Sequence, residues 1–282
     1  MIKCLTQPNV YIKNIKNVEN VLSAMMNDGP LNLQLVTDFD QTLTKYTCSD
    51  GRKCPTSYDV INNSRLTSES LSKKQMEVDQ FYDWVEKDRS LSLEERLPHV
   101  KGWYEKTNNN IFKENINLSN IPDMVAEAGV ELRDNCDELF NMLYHYNIPT
   151  TILSAGLGDV INEILIQNKI MYDNIKVGSN FFTCDKNGVI TGMKDELIHM
   201  YNKNLASDTL RTKSNVLLLG DLLGDVNMCG EEGFNTVLKL GYYNYSGGEV
   251  MDMYSEVYDI VIVRDHTLDI PIQIIQHVTK GR

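Results

Sequence analysis

Two aspartates, Asp38 and Asp40, have the spacing in this chain that most clearly suggests chemistry. They follow an apolar run that ends at Val36, and a buried strand ending there would present both carboxylates at its carboxyl edge, where open α/β sheets bind ligands. There, one carboxylate could attack phosphorus and the other could handle the proton of the leaving oxygen, with Mg²⁺ neutralising the accumulated negative charge. The spacing alone is equally compatible with solvated carboxylates on a loop.

The segment Ser154-Ala-Gly-Leu-Gly follows another apolar run and precedes a helical pattern. A serine hydroxyl and free N–H groups at a helix start can hold a phosphate, which makes Ser154 and Ala155 candidate phosphate ligands. The alternative is an ordinary strand-to-helix turn that contains glycine. The dinucleotide-binding pattern Gly-x-Gly-x-x-Gly is not matched, because Ile161 stands where the third glycine would be.

Lys194, Asp221 and Asp225 complete the set of candidate site residues. A lysine in a cleft can pair with a phosphoryl oxygen and hold a nucleophilic carboxylate, although a lone lysine more often lies on the surface. The run Leu217–Leu219 predicts a strand that stops at the two aspartates, and Asp221 beside Asp38 would supply a Mg²⁺ site completed by water and substrate oxygens. Four such elements in this order, three of them at predicted strand ends, argue against coincidence.

The elements that must position these residues are predicted strands separated by helical patterns. Four apolar runs are continuous rather than alternating, which favours parallel strands buried on both faces: residues 31–36, 148–153, 216–219 and 260–263. Amphipathic spacing predicts a helix over 159–167, and a closing helix within 265–279 whose start is restricted by Pro271.

The interval between the first two runs is unusually long. More than a hundred residues separate them, far more than a simple crossover needs, and this stretch is rich in Lys, Glu and helix-favouring spacing. The sequence therefore predicts an α/β fold with a parallel-sheet core formed by residues 1–56 and 141–282. A mostly helical cap, residues 57–140, is inserted after the first strand.

Composition restricts the partners of the chain. Its net charge of −12 offers no basic face for a nucleic acid polymer, and no apolar run approaches the roughly 18 residues that would span a membrane. The six cysteines form no Cys-x-x-Cys pair, as expected for reduced thiols in a cytoplasmic protein. We expect a cytoplasmic monomer whose partner is a small molecule.

The candidate motifs resemble the four motifs of haloacid dehalogenase-like phosphatases. The resemblance is closer to the cytosolic 5′-nucleotidase III, or pyrimidine 5′-nucleotidase, family, and it covers nearly the whole chain after about residue 15. It rests on Asp38-Phe-Asp-Gln-Thr-Leu-Thr, Cys54-Pro-Thr, Leu93-Glu-Glu-Arg-Leu-Pro-His, Ser154-Ala-Gly-Leu-Gly-Asp, Lys194-Asp-Glu-Leu-Ile-His and Tyr258-Asp-Ile-Val. The family has a Rossmann-like core with a helical cap inserted after the first strand. The resemblance implies a Mg²⁺-dependent nucleoside 5′-monophosphate phosphatase that forms an aspartyl-phosphate.

The resemblance also implies roles for individual residues. Asp38 would be the nucleophile and Asp40 the general acid and base. The remaining roles would be metal binding by Asp38, the Asp40 carbonyl and Asp221, phosphate binding by Ser154, Ala155 and Lys194, and support by Thr42 and Asp225. Leu222 departs from the family, which commonly has a small polar residue there, and this questions the fine positioning of the neighbouring carboxylates.

The cap contains candidate residues for recognising a base. By resemblance, Glu86 and Tyr104 fall at base-contacting positions, while packing of the cap core is the alternative role for an aromatic residue there. A 7-methylguanosine-specific branch of the family has Trp in place of Tyr104, and a larger ring favours a cationic methylated purine. Tyr104 therefore favours pyrimidine nucleotides such as CMP and UMP, with 7-methyl-GMP as the other candidate.

Two further functions stay open from the sequence. The core motifs do not specify the leaving group, so another small phosphorylated metabolite could be the substrate. A non-catalytic nucleotide-binding protein is a second alternative, which the full set of candidate carboxylates disfavours. The family can also pass the phosphoryl group to a nucleoside acceptor, and the sequence does not set that balance.

Overall fold

The computed structural model describes residues 3–88, 90–203, 212–230, 233–245 and 251–280. Its strands are β1 Val10–Tyr11, β2 Leu33–Thr37, β3 Thr150–Leu157, β4 Ile175–Asn180, β5 Phe182–Cys184, β6 Ile190–Met193, β7 Asn215–Gly220, β8 Thr236–Tyr243 and β9 Ile260–Val263. Its α-helices are α1 Ile15–Asp28, α2 Ser57–Asn62, α3 Glu69–Lys87, α4 Leu93–Phe112, α5 Ile121–Ala128, α6 Cys136–His145, α7 Gly158–Gln167, α8 Met251–Val257 and α9 Asp269–Thr279.

Seven strands form the central sheet in the order β1-β9-β8-β7-β2-β3-β4. All neighbours are parallel except the short edge strand β1, which runs antiparallel to β9. The register pairs Leu35 of β2 with Thr150 of β3 on one side and with Leu217 of β7 on the other. The carboxyl ends of these three strands therefore meet at one edge of the sheet, which is where a parallel sheet places its ligands.

The predicted parallel α/β fold is confirmed, and the four apolar runs correspond to β2, β3, β7 and β9. Both faces of the middle strands are covered. Leu35 and Leu217 pack in the larger apolar cluster, whereas Val36 and Leu218 pack in a second cluster on the opposite face. This two-sided burial explains why the runs are continuously apolar. Among the described residues, no helix combines the length and apolarity needed to cross a membrane.

The closing helix begins later than the earliest predicted position, at Asp269. Pro271 lies in its first turn, where a backbone N–H has no partner inside the helix, so the proline costs no hydrogen bond there.

The segment between β2 and β3 contributes α2, α3, α4 and α5, with α3 packed along α4. Local signals set where two of these helices begin: Thr56 and Asp59 form a capping box at α2, and Ser92 and Glu95 form one at α4. The β5–β6 hairpin contacts the segment between α4 and α5, because Ile190 N donates to the carbonyl of Ile116.

Two segments of the chain connect the helices α2 to α5, which form the cap, to the sheet, and these segments run side by side. Thr44 and Leu132 form an antiparallel bridge, Lys45 N donates to Glu131 O and Arg133 N donates to Leu43 O. We call residues 43–48 and 129–133 the hinge ribbon. Residue 140, the predicted end of the cap, falls inside α6, which packs on α9.

Candidate active site

The loop after β2 carries the first two candidate residues and is tightly folded. Asp38 N donates to Leu219 O of β7 at 3.0 Å, which aligns the loop with the neighbouring strand end. The carbonyl of Phe39 then accepts from the amides of Thr42, Leu43 and Thr44. The turn needs Gln41 at a φ of 65°, in the left-handed region.

A buried lysine, Lys203, joins two of the site carboxylates. Its Nζ lies 2.5 Å from Asp38 Oδ1 and 2.7 Å from Asp225 Oδ1, and its side chain is only 4% exposed. Although burial opposes ionisation, the charges of Asp225 and Asp38 raise the pKa of Lys203 above its ordinary value. Lys203 is therefore a fixed positive charge beside the candidate nucleophile.

Lys194, predicted to hold the phosphate, lies elsewhere. It follows β6, its side chain is exposed, and its backbone N–H donates to Phe181 O. The prediction of a lysine beside Asp38 named the wrong residue, because Lys203, nine positions later, occupies that place. Lys203 follows Tyr201-Asn202 and no strand end, so neither periodicity nor a turn signal marks it in the sequence.

Carboxylate oxygens of Asp38, Asp221 and Asp225 all lie within 4.8 Å of one another. Burial, together with Asp38 and Asp225, raises the pKa of Asp221 well above its ordinary value. Burial also raises the pKa of Asp38 to about 7, which Lys203 opposes and Asp225 reinforces. The cluster thus holds more negative charge than Lys203 balances, and its oxygen donors fit a hard divalent cation such as Mg²⁺.

The hydrogen bonds of the cluster separate metal-binding candidates from a supporting residue. Asp225 is fully buried, and its Oδ2 accepts from the amides of Asp221 and Leu222 while its Oδ1 meets Lys203. Thr42 Oγ1 lies 3.2 Å from Asp221 Oδ1 and 3.5 Å from Asp38 Oδ2. With both its oxygens occupied, Asp225 is placed to support the loop, which leaves Asp38 and Asp221 more available to a cation.

Two tyrosines hold the loop after β7. The hydroxyl of Tyr254 donates to Asp221 O at 2.5 Å, and that of Tyr258 donates to Leu222 O at 2.6 Å. Leu222 therefore takes part in the loop through its backbone, and a larger side chain there leaves these bonds in place.

Asp40 is held by the first residue of α2. Ser57 donates to it twice, from N to Oδ1 at 2.9 Å and from Oγ to Oδ2 at 2.7 Å. Burial raises the pKa of Asp40 to about 6, against the lowering effect of these two bonds. A carboxyl group with a pKa near the working pH can both donate and accept a proton. Ser57 was not predicted, although the Thr-x-x-Asp capping box does mark a helix start there.

Ser154 lies in the carboxyl-terminal half of β3, three residues before the strand ends, near Asp40. Its Oγ accepts from Gly156 N at 3.0 Å, and the carbonyl of Ala155 accepts from Asn180. A Cβ on Gly156 would lie 3.1 Å from Ser154 Oγ, 2.9 Å from Asp40 Oδ2 and 2.1 Å from Ser57 Oγ. The three side chains therefore surround one point, and glycine is the residue that leaves it open.

Arg133 braces the loop after β2 from behind. This fully buried guanidinium donates to the carbonyls of Thr42 and Gln41 at 2.7 Å each, and to Asn244 Oδ1 at 2.9 Å. It also stacks over the ring of Tyr242 at 4.0 Å. Buried loop carbonyls that would otherwise lack partners are thus satisfied, which fixes the strained turn at Gln41. Arg133 was not among the residues predicted from the sequence.

The candidate base-binding residues lie in the cap. Tyr104 is 5% exposed, and its ring meets those of Tyr58 and Trp103 edge-on at centroid distances of 6.0 and 4.7 Å. Tyr58 adjoins Ser57, so this aromatic group lies above Asp40. Glu86 belongs to α3, but its side chain lies outside the described part of the structure.

A cleft of about 330 Å³ opens between α4 and the segment after β6. Asn108, Met193, His199 and Asn202 are among the residues that line it. Asn108 accepts from the hydroxyl of Tyr58, and Asn202 precedes Lys203 in sequence. Neither this cleft nor a second cavity of about 640 Å³ behind α2 is lined by any of the four site aspartates.

Comparison with known proteins identifies the family. The family model described as pyrimidine 5′-nucleotidase (UMPH-1) matches residues 41–279. The chain belongs to this family. It is therefore a 5′-nucleotidase, as the resemblance implied.

Several curated relatives match the chain over nearly its full length. The human 7-methylguanosine phosphate-specific 5′-nucleotidase is 35% identical, with 98% of this chain and 95% of the relative covered. The A form from Xenopus laevis is 36% identical over 98% of this chain and 97% of the relative. The putative cytosolic 5′-nucleotidase 3 of Caenorhabditis elegans is 29% identical over 98% of this chain and 77% of the relative.

Solved structures agree with the fold. The crystal structure of cytosolic 5′-nucleotidase IIIB bound to cytidine superposes with a TM-score of 0.90 at 27% identity, covering 99% of this chain and 97% of that one. A haloacid dehalogenase family hydrolase from Salmonella enterica superposes with a TM-score of 0.57 at 12% identity, covering 98% and 83%. The second similarity shows the fold alone.

Proposed function

We propose that the chain is a Mg²⁺-dependent nucleoside 5′-monophosphate phosphatase that works through a phosphorylated Asp38. The observation that carries the proposal is the cluster of three buried carboxylates, two of them paired with Lys203, next to an Asp40 that is held separately by Ser57. One carboxylate beside a fixed cation and another with a raised pKa are suited to different tasks, nucleophile and acid.

In the first step, an Asp38 oxygen attacks phosphorus and the bond from phosphorus to the ribose O5′ breaks. Asp40 gives its proton to O5′, so the nucleoside leaves as a neutral alcohol. Lys203 opposes the rise in the pKa of Asp38 and orients its carboxylate, and Ser154 offers a hydroxyl to the phosphoryl oxygens. Lys203 thus takes the role that was predicted for Lys194.

In the second step, water attacks the phosphorus of the aspartyl-phosphate. Asp40, now ionised, accepts the proton of that water, and the bond between phosphorus and the Asp38 oxygen breaks. Inorganic phosphate leaves, and both carboxyl groups return to their starting states. Asp38, the Asp40 carbonyl and Asp221 would hold Mg²⁺, which neutralises phosphoryl charge when bound.

The proposed substrates are the pyrimidine nucleotides CMP and UMP. The family description names pyrimidine nucleotides, and cytidine is bound in the similar crystal structure. 7-Methyl-GMP is the second candidate, because the human and Xenopus laevis relatives are named for 7-methylguanosine phosphate. Tyr104 and Glu86 are the proposed base contacts.

The proposal includes a monomer in the cytoplasm, with no nucleic acid polymer and no membrane as partner. The net charge of −12 supports the exclusion of nucleic acid, and the name of the Caenorhabditis elegans relative supports the location. Light scattering coupled to size exclusion tests the monomer.

A phosphate-release screen tests the function. CMP, UMP, their deoxy forms, 7-methyl-GMP and a base-free phosphate ester are supplied with Mg²⁺, with excess EDTA, and with EDTA followed by excess Mg²⁺. We expect turnover of nucleotides with Mg²⁺, loss with EDTA and recovery on Mg²⁺ addition. Full activity in EDTA would refute the metal site, and equal rates on every ester would refute nucleotide specificity.

A further inference from the structure

Ser57 connects three parts of the molecule that the proposed reaction needs together. It is the first residue of α2, its N and Oγ donate to the two oxygens of Asp40, and its Oγ accepts from Leu157 N at 3.1 Å. One side chain thus joins the cap, the loop after β2 and the end of β3. Ser57 is fully buried, so water does not compete for these bonds.

The pattern of donors fixes the rotation of the Asp40 carboxyl group. A carboxyl group held at one oxygen can turn about its Cβ–Cγ bond, whereas donors to both oxygens hold its plane. The amide of Leu157 directs the hydroxyl in turn, because its N–H occupies a lone pair of Oγ and the hydroxyl proton is left for Asp40. No other side chain in the described part of the chain donates to Asp40.

Gly156 preserves this arrangement. A Cβ at that position would lie 2.1 Å from Ser57 Oγ and 2.9 Å from Asp40 Oδ2, closer than non-bonded atoms approach. A side chain there would have to displace Ser57, Asp40 or both. The backbone of β3 is therefore shaped to admit the contact between the two side chains.

We infer that Ser57 is a positioning residue that ties the orientation of the general acid, Asp40, to the first helix of the cap. This inference rests on the proposed function, in which Asp40 protonates the leaving oxygen. Ser57 acts on the substrate through Asp40. Its contribution should therefore appear with leaving groups that need a proton and be small with those that leave without one.

The test compares CMP with 4-nitrophenyl phosphate, whose leaving group departs without protonation. We expect Ser57→Ala to lower kcat/KM on CMP, which reports formation of the aspartyl-phosphate, by about 10-fold, a part of the roughly 10²–10⁴-fold effect of a positioned acid. Its kcat/KM on 4-nitrophenyl phosphate should change by less than about 2-fold, so the ratio of the two kcat/KM values falls. Equal losses on both substrates, or an unchanged ratio, would overturn the inference.

A double-mutant cycle separates positioning from a structural role. In an Asp40→Asn background, Ser57→Ala should have no further effect on CMP turnover, because the group that it positions is gone. The same fold loss in both backgrounds would overturn the inference. If Asp40→Asn itself keeps the wild-type ratio of rates, the acid assignment in the proposed function fails instead, whatever Ser57→Ala does.

Ser64→Ala is the matched control. Ser64 is another buried serine that donates its hydroxyl to a carboxylate, that of Glu127, just beyond the other end of α2. Its substitution should leave the ratio of rates at the wild-type value. Should Ser57→Ala fail to fold, Ser57→Cys fills similar space with a weaker donor. A ratio lowered at least about 3-fold in that variant supports the inference, and a wild-type ratio overturns it.

Discussion

The floor of the site and the cap above it are built in different ways. On the floor, Asp38, Asp221 and Asp225 stand at strand ends and are bonded to Lys203, Thr42 or the backbone. In the cap, Tyr104 packs edge-on against other rings, and Phe81 and Trp84 of α3 are largely exposed. The floor holds its charged side chains in one arrangement for the chemical step, whereas the cap presents apolar side chains that can differ without changing that arrangement. We expect substitutions on the floor to affect every substrate and those in the cap to discriminate among bases.

The largest effect is expected on the floor, at Asp38. Asp38→Asn removes the proposed nucleophile and should lower turnover of all esters by several orders of magnitude, as loss of a covalent nucleophile generally does. The check is phosphate release by a variant whose circular dichroism matches wild type. Asp195→Asn, an exposed aspartate beyond β6, is the control and should keep full activity. A folded Asp38→Asn enzyme with a tenth of the wild-type kcat would rule out the assignment.

The next largest effect is expected at Lys203, and Lys194 provides the comparison. Lys203→Met leaves Asp38 and Asp225 buried without their cation, and should lower kcat by roughly 10²–10³-fold, the range for one lost electrostatic contact to the reacting group. Lys194→Met should change kcat less than about 2-fold because Lys194 is exposed. Steady-state kinetics on CMP measure both effects. A larger loss of kcat in Lys194→Met than in Lys203→Met would support Lys194 as the phosphate ligand.

Asp40 lies where floor and cap meet, and its effect should depend on the leaving group. Asp40→Asn should lower CMP hydrolysis by roughly 10²–10⁴-fold, because a ribose alkoxide leaves poorly without a proton. The kcat/KM for 4-nitrophenyl phosphate, which reports formation of the aspartyl-phosphate and not its hydrolysis, should fall much less. Parallel kinetics on the two substrates provide the check, and equal losses would mean that Asp40 acts through structure or metal binding.

The smallest and most selective effect is expected in the cap. Tyr104→Ala should weaken kcat/KM on nucleotides by about 1–3 kcal/mol, the range for one lost aromatic–base stack, and change little on a base-free ester. Tyr104→Trp should move preference toward 7-methyl-GMP, and Glu86→Gln should alter the order of bases by replacing an acceptor with an amide. Uniform losses on all substrates, together with a lower melting temperature, would show that Tyr104 only packs the cap.

The positions of the floor aspartates could be predicted from the sequence because strand ends are local features. A continuous apolar run followed by Asp predicts both the strand and its edge, and Asp38 and Asp221 directly follow β2 and β7 in the structure. Ser154, also predicted at a strand end, lies inside β3, which continues to Leu157. Lys203 and Arg133 lack that signal. The partners of each residue lie far away in the sequence, where no short pattern can indicate the contact. Arg133, for example, lies more than ninety positions from Gln41. Strands β4 and β8 were not predicted, and several of their residues are only partly buried.

The end of the cap is difficult to place from the sequence for a related reason. Helical spacing continues through α6, so composition does not distinguish a cap helix from a helix beside the sheet. The return of the chain is marked instead by the pairing of Thr44 with Leu132, a contact between residues far apart in sequence.

The hinge ribbon has a mechanical consequence. A domain joined by one flexible segment can rotate in any direction, but two segments hydrogen-bonded side by side bend about one axis and resist twisting. The bridge between Thr44 and Leu132 and the backbone hydrogen bonds of Lys45 and Arg133 join the two segments of the hinge ribbon in this way. On another side, Leu118 N donates to Gly188 O and Ile190 N donates to Ile116 O, so the cap is also bonded to the β5–β6 hairpin. We expect any opening of the cap to bend the hinge ribbon about one axis, so that each closure would bring the cap helices back to the sheet in the same register.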